Sequence, residues 1–188
     1  LIDPQGRSIP DKTWCYWSEK PFDIHPRESI HAWSQLSFVT DDTKITKSLG
    51  KLRYFHLNSH DFYSSIFAKL TAYPNVNFLK DKVLDISEYN DQVQVTTQHN
   101  GTLNASFVFD SRLDPKEFEK SSALKQVFSG WKIQTQTESF DPTSLILMEF
   151  PKKFGHHFEF FYILPFSKTE ALIEYTAYSQ KFIKQSMN

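Results

Sequence analysis

Glu174 stands in the middle of an aromatic and aliphatic run, Leu172-Ile-Glu-Tyr-Thr176, which follows Phe160-Phe-Tyr-Ile-Leu-Pro-Phe-Ser167. A half-buried strand alternates apolar and polar side chains, so Leu172, Glu174 and Thr176 share one face and Ile173, Tyr175 and Ala177 the other. Either face suits an interior, and the pattern alone does not choose between a buried acid and an exposed strand glutamate. The buried alternative has distinct chemistry. Desolvation disfavours the carboxylate and raises its pKa. A neutral carboxylic acid in a dry pocket is a proton donor, able to attack even an unactivated carbon–carbon double bond.

A second carboxylate, Glu149, lies in Leu147-Met-Glu-Phe150. By alternation it shares a face with Leu145 and Leu147. Two carboxylates held together push their pKa values apart, but the strand from Phe158 is expected to lie between these two.

The elements that must position these acids form an antiparallel set: Val127 to Thr137, Ser144 to Phe150, Phe158 to Leu164 and Ala171 to Tyr178. Asp141-Pro142, Pro151 to Gly155 and Ser167-Lys-Thr169 supply the turns between them. Residues 114 to 125 are charged and read as a short helix or loop. Upstream, residues 1 to 20 read as a strand end and a connecting loop. Extended runs follow at Ala32 to Phe38 and Leu52 to Leu57, separated by Thr40-Asp-Asp-Thr43 and Gly50. Asn58 or Ser59 caps a helix whose stripe is Phe62, Ile66, Phe67 and Leu70, and Pro74 stops it near Tyr73. A β-meander comes next, with Val76 to Phe78, Lys82 to Ser87, Val93 to Gln98 and Leu103 to Phe109. Its Asn100-Gly101 pair reads as a two-residue hairpin turn with both residues at positive φ.

Composition removes several classes. The 188 residues are 39% hydrophobic with 21 basic and 22 acidic side chains, a net charge of −1, which gives no electrostatic footprint for nucleic acid. No apolar stretch approaches the roughly 20 residues of a membrane-spanning helix. No metal-ligand spacing appears, and the adjacent His156-His157 pair reads as a loop feature. The lone Cys15 has no internal disulfide partner and suits a reducing cytoplasm.

Several blocks occur in a telling order. Leu1-Ile-Asp-Pro4 and Asp11-Lys-Thr-Trp-Cys-Tyr-Trp17 are followed by Tyr54-Phe-His-Leu-Asn58 with Phe62-Tyr63, then Phe107-Val-Phe-Asp-Ser-Arg112. After these come Gln126-Val-Phe-Ser-Gly-Trp131, Leu147-Met-Glu-Phe150, Tyr162-Ile-Leu-Pro-Phe-Ser167 and Leu172-Ile-Glu-Tyr-Thr176. Together they resemble consecutive segments of the lycopene cyclase family, flavoproteins that close ionone rings on linear carotenoids.

The resemblance implies an α+β fold, a mixed α/β flavoprotein of the hydroxylase type. A partial FAD-binding domain would span 1–112, with inserted strands at 31–57, and a partial substrate domain with an antiparallel sheet would span 113–188. It implies the acid-catalysed closure of the linear ends of lycopene to β-ionone rings, an isomerase-type reaction of terpenoid chemistry. Glu174 would be the proton donor, with Tyr175 standing where relatives carry a second acid. Glu149 stands where the family has aspartate and would be a second acid, a base for the final deprotonation, or a partner tuning Glu174.

FAD in its reduced form, with NADPH or NADH as electron source, is implied as cofactor. Asp3 would bind the adenosine ribose, and Asp110 and Arg112 would lie near the flavin, although relatives have a glycine where this chain has Arg112-Leu113. The glycine-rich dinucleotide turn expected before Asp3 is absent, so the chain reads as incomplete by roughly thirty residues. By itself it is expected to be inactive and to bind FAD poorly. Lycopene and related carotenoids would come from a bilayer, which implies a peripheral, cytoplasmic enzyme, with Lys152-Lys153-Phe154 as a lipid contact or merely a solvated turn. The alternatives are a redox flavoprotein of the same fold, such as a prenyl reductase or aromatic hydroxylase, and a non-catalytic carotenoid carrier.

Overall fold

The computed structural model describes residues 1–5, 12–113, 115–120, 122–150 and 158–179. The chain divides into two units, one comprising Leu1–Trp14, Asp23–Ser29 and Leu57–Leu113, the other Cys15–Phe22, Ile30–His56 and Asp114–Asn188. The expected insertion at 31–57 therefore groups with the carboxy-terminal strands. Among the described residues the class is mostly β, which corrects the α+β expectation: a single long helix accompanies three sheets.

The first unit is built on helix α1 (Ser59–Leu70) and a three-stranded sheet of β6 (Val83–Tyr89), β7 (Gln92–Thr97) and β8 (Gly101–Ala105). Asn58 is the cap, its Oδ1 accepting from the N–H of His60 (2.9 Å) and Asp61 (3.4 Å). This satisfies donors that the first helical turn leaves without partners. Ser59 is instead buried and exchanges hydrogen bonds with the Lys12 backbone, its Oγ accepting from Lys12 N at 3.1 Å and its N–H donating to Lys12 O at 3.2 Å. The apolar stripe of α1 meets Trp14, whose ring lies edge-on to Phe62 and Tyr63 at 5.5 Å each.

Three local expectations fail here. Residues 76–78 form no strand; the only pairing nearby is an isolated parallel bridge between Ile2 and Leu79. The last strand of the meander stops at Ala105, and Phe107 and Phe109 are 85% and 99% exposed, because β7 offers no partner beyond Val93. The two-residue turn with both φ positive is Asn90-Asp91 (47° and 59°), whereas at Asn100-Gly101 only Gly101 is left-handed, at 70°. Asp81 explains the wider second turn. Its carboxylate accepts from the N–H of Lys82, His99 and Asn100 and from Asn100 Nδ2.

In the second unit, β1 (Thr13–Ser18), β5 (Arg53–Asn58) and β2 (His31–Trp33) make one sheet, whose unit boundary falls within β1 and β5. The other has six strands in the order β4-β3-β10-β11-β12-β9. These are β3 (Gln35–Val39), β4 (Lys44–Ser48), β9 (Lys125–Gln134), β10 (Ser144–Glu149), β11 (Phe158–Pro165) and β12 (Glu170–Ser179). Short helix α2 (Pro115–Lys120) precedes β9. The four expected carboxy-terminal strands are present and pair with one another only antiparallel, and β3 joins the sheet beside β10 in parallel. The expected turn at 151–155 lies outside the described residues, as do His156, His157 and the 152–154 segment.

The core of this unit is Trp33, Leu145 and Leu164, all essentially inaccessible, with Cys15, Leu36, Tyr54, Leu147, Phe166 and Leu172 packed on them. Burying a tryptophan contributes about 4 to 6 kcal/mol of transfer free energy. The Trp33 indole N–H is satisfied by Pro165 O at 2.8 Å.

Burial alone would raise the Asp81 pKa, but the donors of Asn100, Lys82, His99 and Thr97 outweigh it and hold the carboxyl well below its ordinary 3.8. A lowered folded-state pKa stabilises the fold above the ordinary value and ceases to do so as pH falls through the folded one. Asp81→Ala is expected to lower the melting temperature by several degrees at pH 7. The deficit should shrink on acidification below about pH 4, measured by circular dichroism melts across pH.

Candidate active site

Glu174 occupies the centre of β12, which lies between β11 and β9. The register pairs it with Tyr162 on β11 and Gly130 on β9. Directly paired residues project from the same face. Leu164 and Leu172, also a pair, pack against Trp33 on the core side, so Tyr162 and Glu174, two residues along each strand, belong to the inner face. The interior therefore takes the Leu172-Glu174-Thr176 set of the two that alternation left open.

Cys15 and Tyr54 complete the surroundings, joined to each other by a hydrogen bond. Burial raises the Glu174 pKa above its ordinary 4.5. Burial also pushes the Cys15 thiol up to about 12, against the hydrogen bond from Tyr54, which lowers it, while the Glu174 charge raises it further. Tyr54 and Tyr162 are raised first by burial, and Glu174 adds to both. These groups are within electrostatic reach of one another, and none favours a negative charge beside it. The nearest cation on this face of β9, Lys132, is engaged elsewhere, 2.5 Å from Glu170 and over the Phe166 ring. Burial is the cause that shifts Glu174, and no cation among the described residues offsets it.

Aromatic rings lie near the acid on the six-stranded sheet and on the β1-β5-β2 sheet. In the first, Phe160 lies 5.0 Å from Tyr162 and 5.8 Å from Phe158, with Tyr178 and Phe150 beyond. In the second, Tyr54 lies 4.3 Å from Trp17 and 6.2 Å from Trp33. Electron-rich ring faces attract a positive charge by roughly 0.5 to 2 kcal/mol each. The arrangement suits a proton donor and a developing cation in an apolar setting.

Glu149 is elsewhere. A bulge shifts the register between Ile146 and Glu149, so Glu149 pairs with Phe161, which in turn pairs with Tyr175. The extra residue reverses the alternation. Glu149 therefore sits on the face opposite Glu174 with β11 between them, and it does not share a face with Leu145. That opposite face has its own acid, Glu159, whose carboxylate accepts a short hydrogen bond from the Tyr175 hydroxyl.

The three other candidates belong to the first unit. Asp3 follows the parallel bridge of Ile2, its N–H bonded to Leu79 O at 3.1 Å and its Oδ1 accepting from Gln5 N at 2.8 Å. A dinucleotide fold binds the ribose with an acid at the end of a parallel strand, and here Asp3 follows a single parallel bridge. Asp110 and Arg112 fit a cofactor less well, because they satisfy each other through two contacts of 2.9 and 3.0 Å. Arg112 also donates to Val83 O at 3.1 Å. Among the described residues no group of three potential metal ligands occurs, and no helix is long and apolar enough to cross a membrane.

The comparisons agree with this architecture. The family model described as "Lycopene cyclase protein" matches residues 1–187, and the chain belongs to that family. A search of curated proteins finds no match. Among solved structures, native FqzB superposes with a TM-score of 0.67 at 11% identity, covering 99% of this chain and 48% of that one. The halogenase PltM in complex with phloroglucinol and FAD gives 0.56 at 11%, covering 79% and 35%. The 2,6-dihydroxypyridine-3-hydroxylase from Arthrobacter nicotinovorans gives 0.55 at 10%, covering 99% and 50%. The chain spans half or less of the length of these structures, and at such identities they share its fold alone.

Two outcomes follow from the electrostatics. A raised folded-state pKa means that ionised Glu174 opposes folding once pH exceeds its ordinary 4.5, whereas below that value the acid is neutral in both states. Glu174→Gln should accordingly melt higher than the native protein at pH 7 and no higher at pH 4, by differential scanning calorimetry. With its pKa near 12, the Cys15 thiol is about one part in ten thousand ionised at pH 8. Iodoacetamide should leave it unmodified until the protein is unfolded, as followed by intact mass.

Proposed function

We propose that this chain carries the proton-donating part of a lycopene cyclase, with Glu174 as the acid that starts ring closure. The observation that carries the reading is a half-buried carboxyl with a raised pKa, set among Tyr54, Tyr162 and flanking aromatic rings, in a chain of this family. Glu174 gives its proton to the terminal double bond of a linear carotenoid end. The tertiary cation so formed is attacked by the neighbouring double bond, closing the six-membered ring. Loss of a proton from the adjacent ring carbon leaves the ring double bond, so substrate and product have one formula. Tyr162, Phe160 and Tyr54 face the developing charge with ring faces and exclude water that would quench it.

FAD in reduced form, kept so by NADPH or NADH, is the cofactor of this reading, and when bound it supplies negative charge that steadies the cation. Asp3 is the residue of this chain that would hold its ribose. Glu149 receives no part beside Glu174, because β11 separates them on opposite faces. The substrate is insoluble in water, so the enzyme would take it from a bilayer as a peripheral protein.

A redox flavoprotein is the second reading, supported by the fold shared with a halogenase and a hydroxylase. Product mass separates the two. In carotenoid-producing cells expressing the native gene product, cyclisation leaves the mass of lycopene unchanged, whereas reduction adds hydrogen and hydroxylation adds oxygen. Glu174→Gln should reduce ring formation by at least about 10²-fold, read by chromatography of the pigments. Undiminished ring formation in that variant would remove Glu174 from the chemistry, whereas a product of changed mass would favour the redox reading.

A further inference from the structure

Gly130 lies directly opposite Glu174 in a β9–β12 ladder that runs unbroken from Glu170↔Gln134 to Ser179↔Lys125. A Cβ at position 130 would stand 2.7 Å from Glu174 Cγ, 3.2 Å from Oε1 and 3.4 Å from Cδ. The first of these distances is closer than carbon atoms approach without something moving. The backbone does not require a glycine there, because residue 130 has no positive φ, unlike Gly50 and Gly101, which have open space around them. An interior strand glycine weakens its strand. Here the vacant space is filled by the glutamate, which leans over β9.

We infer that Gly130 is the positioning residue of the acid: by lacking a side chain it lets the Glu174 carboxyl lie across the edge strand. This rests on the reading of Glu174 as proton donor. The crowded atom is Cγ, so a side chain at 130 is not accommodated by a swing of the carboxyl end. Relief requires a different staggered χ1, which carries the whole carboxyl off β9. A displacement of even about 1 Å in a reacting group costs on the order of 10²-fold in rate. Gly130 touches no reacting atom in this account, and it acts only through Glu174.

The test is a cycle of Gly130→Ala, Glu174→Ala and the double variant in the native gene product, with melting temperature as the first readout. With Glu174 present, Gly130→Ala should lower the melting temperature; with Glu174→Ala, the same change should leave it unchanged or raise it. If Gly130→Ala does not fold, recovery of folding in the double variant supports the inference, and failure of the double variant to fold overturns it. Equal effects in both backgrounds overturn it as well. The second readout is turnover and the titration of the labelled Glu174 carboxyl in Gly130→Ala. We expect kcat to fall at least 10-fold with KM changed less than about twofold, and the carboxyl midpoint to move from its native value. An unmoved midpoint with native kcat overturns the inference. Should Glu174→Gln stay active while the melting cycle is non-additive, the reading of Glu174 as proton donor fails and the steric role of Gly130 stands.

Discussion

The burial of Trp33 settles which face of the six-stranded sheet is the interior, and the candidate site follows from that choice. Strands have a side-chain period of two, so a slip of one residue would turn every inward side chain outward. Trp33, Leu145 and Leu164 exclude solvent from one face, and the indole N–H is anchored on Pro165 O, the last residue of β11. Leu172 then pairs with Leu164 against this core, and the next inward residues are Tyr162 and Glu174. The apolar contact that stabilises the unit also desolvates the carboxyl. Stability and acidity are thus opposed at one residue: the packing that favours the fold works against the ionised form of Glu174.

Much of the second unit was legible in the residues. The four carboxy-terminal strands were marked by alternation and by the turns at Asp141-Pro142 and Ser167-Lys-Thr169. Ser167 does organise its turn, its Oγ accepting from the N–H of Thr169 and Glu170. What alternation could not carry was a break in the count. The bulge in β10 adds one residue, and with it Glu149 crosses to the far face. The strand order was also not local information. β9 reaches the sheet edge beside β12, and β3 pairs parallel with β10 across more than a hundred residues. In the first unit, Asn100-Gly101 had the composition of a tight turn. The carboxylate of Asp81, nineteen residues earlier, collects its N–H groups into a wider one.

The candidate site was legible only at its centre. Glu174 was conspicuous because a charged residue interrupted an apolar strand. Tyr162 could have been found with it, since a hairpin closed by residues 166–169 pairs 162 with 174. Cys15 and Tyr54 reach the same place from strands of a different sheet, and no spacing rule connects them to β12. Cys15 stands out in the sequence as a lone thiol, and burial beside Glu174 pushes its pKa up to about 12. Gly130 gave no signal at all as a residue type. Its meaning lies in an atom that is missing, and only the opposing glutamate reveals it.

The fold itself leaves the chemistry undecided. A halogenase and a hydroxylase share the fold at 11% and 10% identity, and folds of this kind host many reactions. A redox flavoprotein needs its substrate beside the flavin and no strong acid in the sheet. An acid-catalysed cyclase needs a protonated carboxyl, no neighbouring cation to ionise it, and ring faces to receive positive charge. In this chain Lys132 is turned to Glu170, and the inward neighbours of Glu174 are a thiol and two phenols that are themselves harder to ionise than usual. Placing a fixed cation within reach would convert the carboxyl to a permanent anion, useless as a donor. The surroundings of position 174 favour the neutral acid over the carboxylate, because burial disfavours the charge.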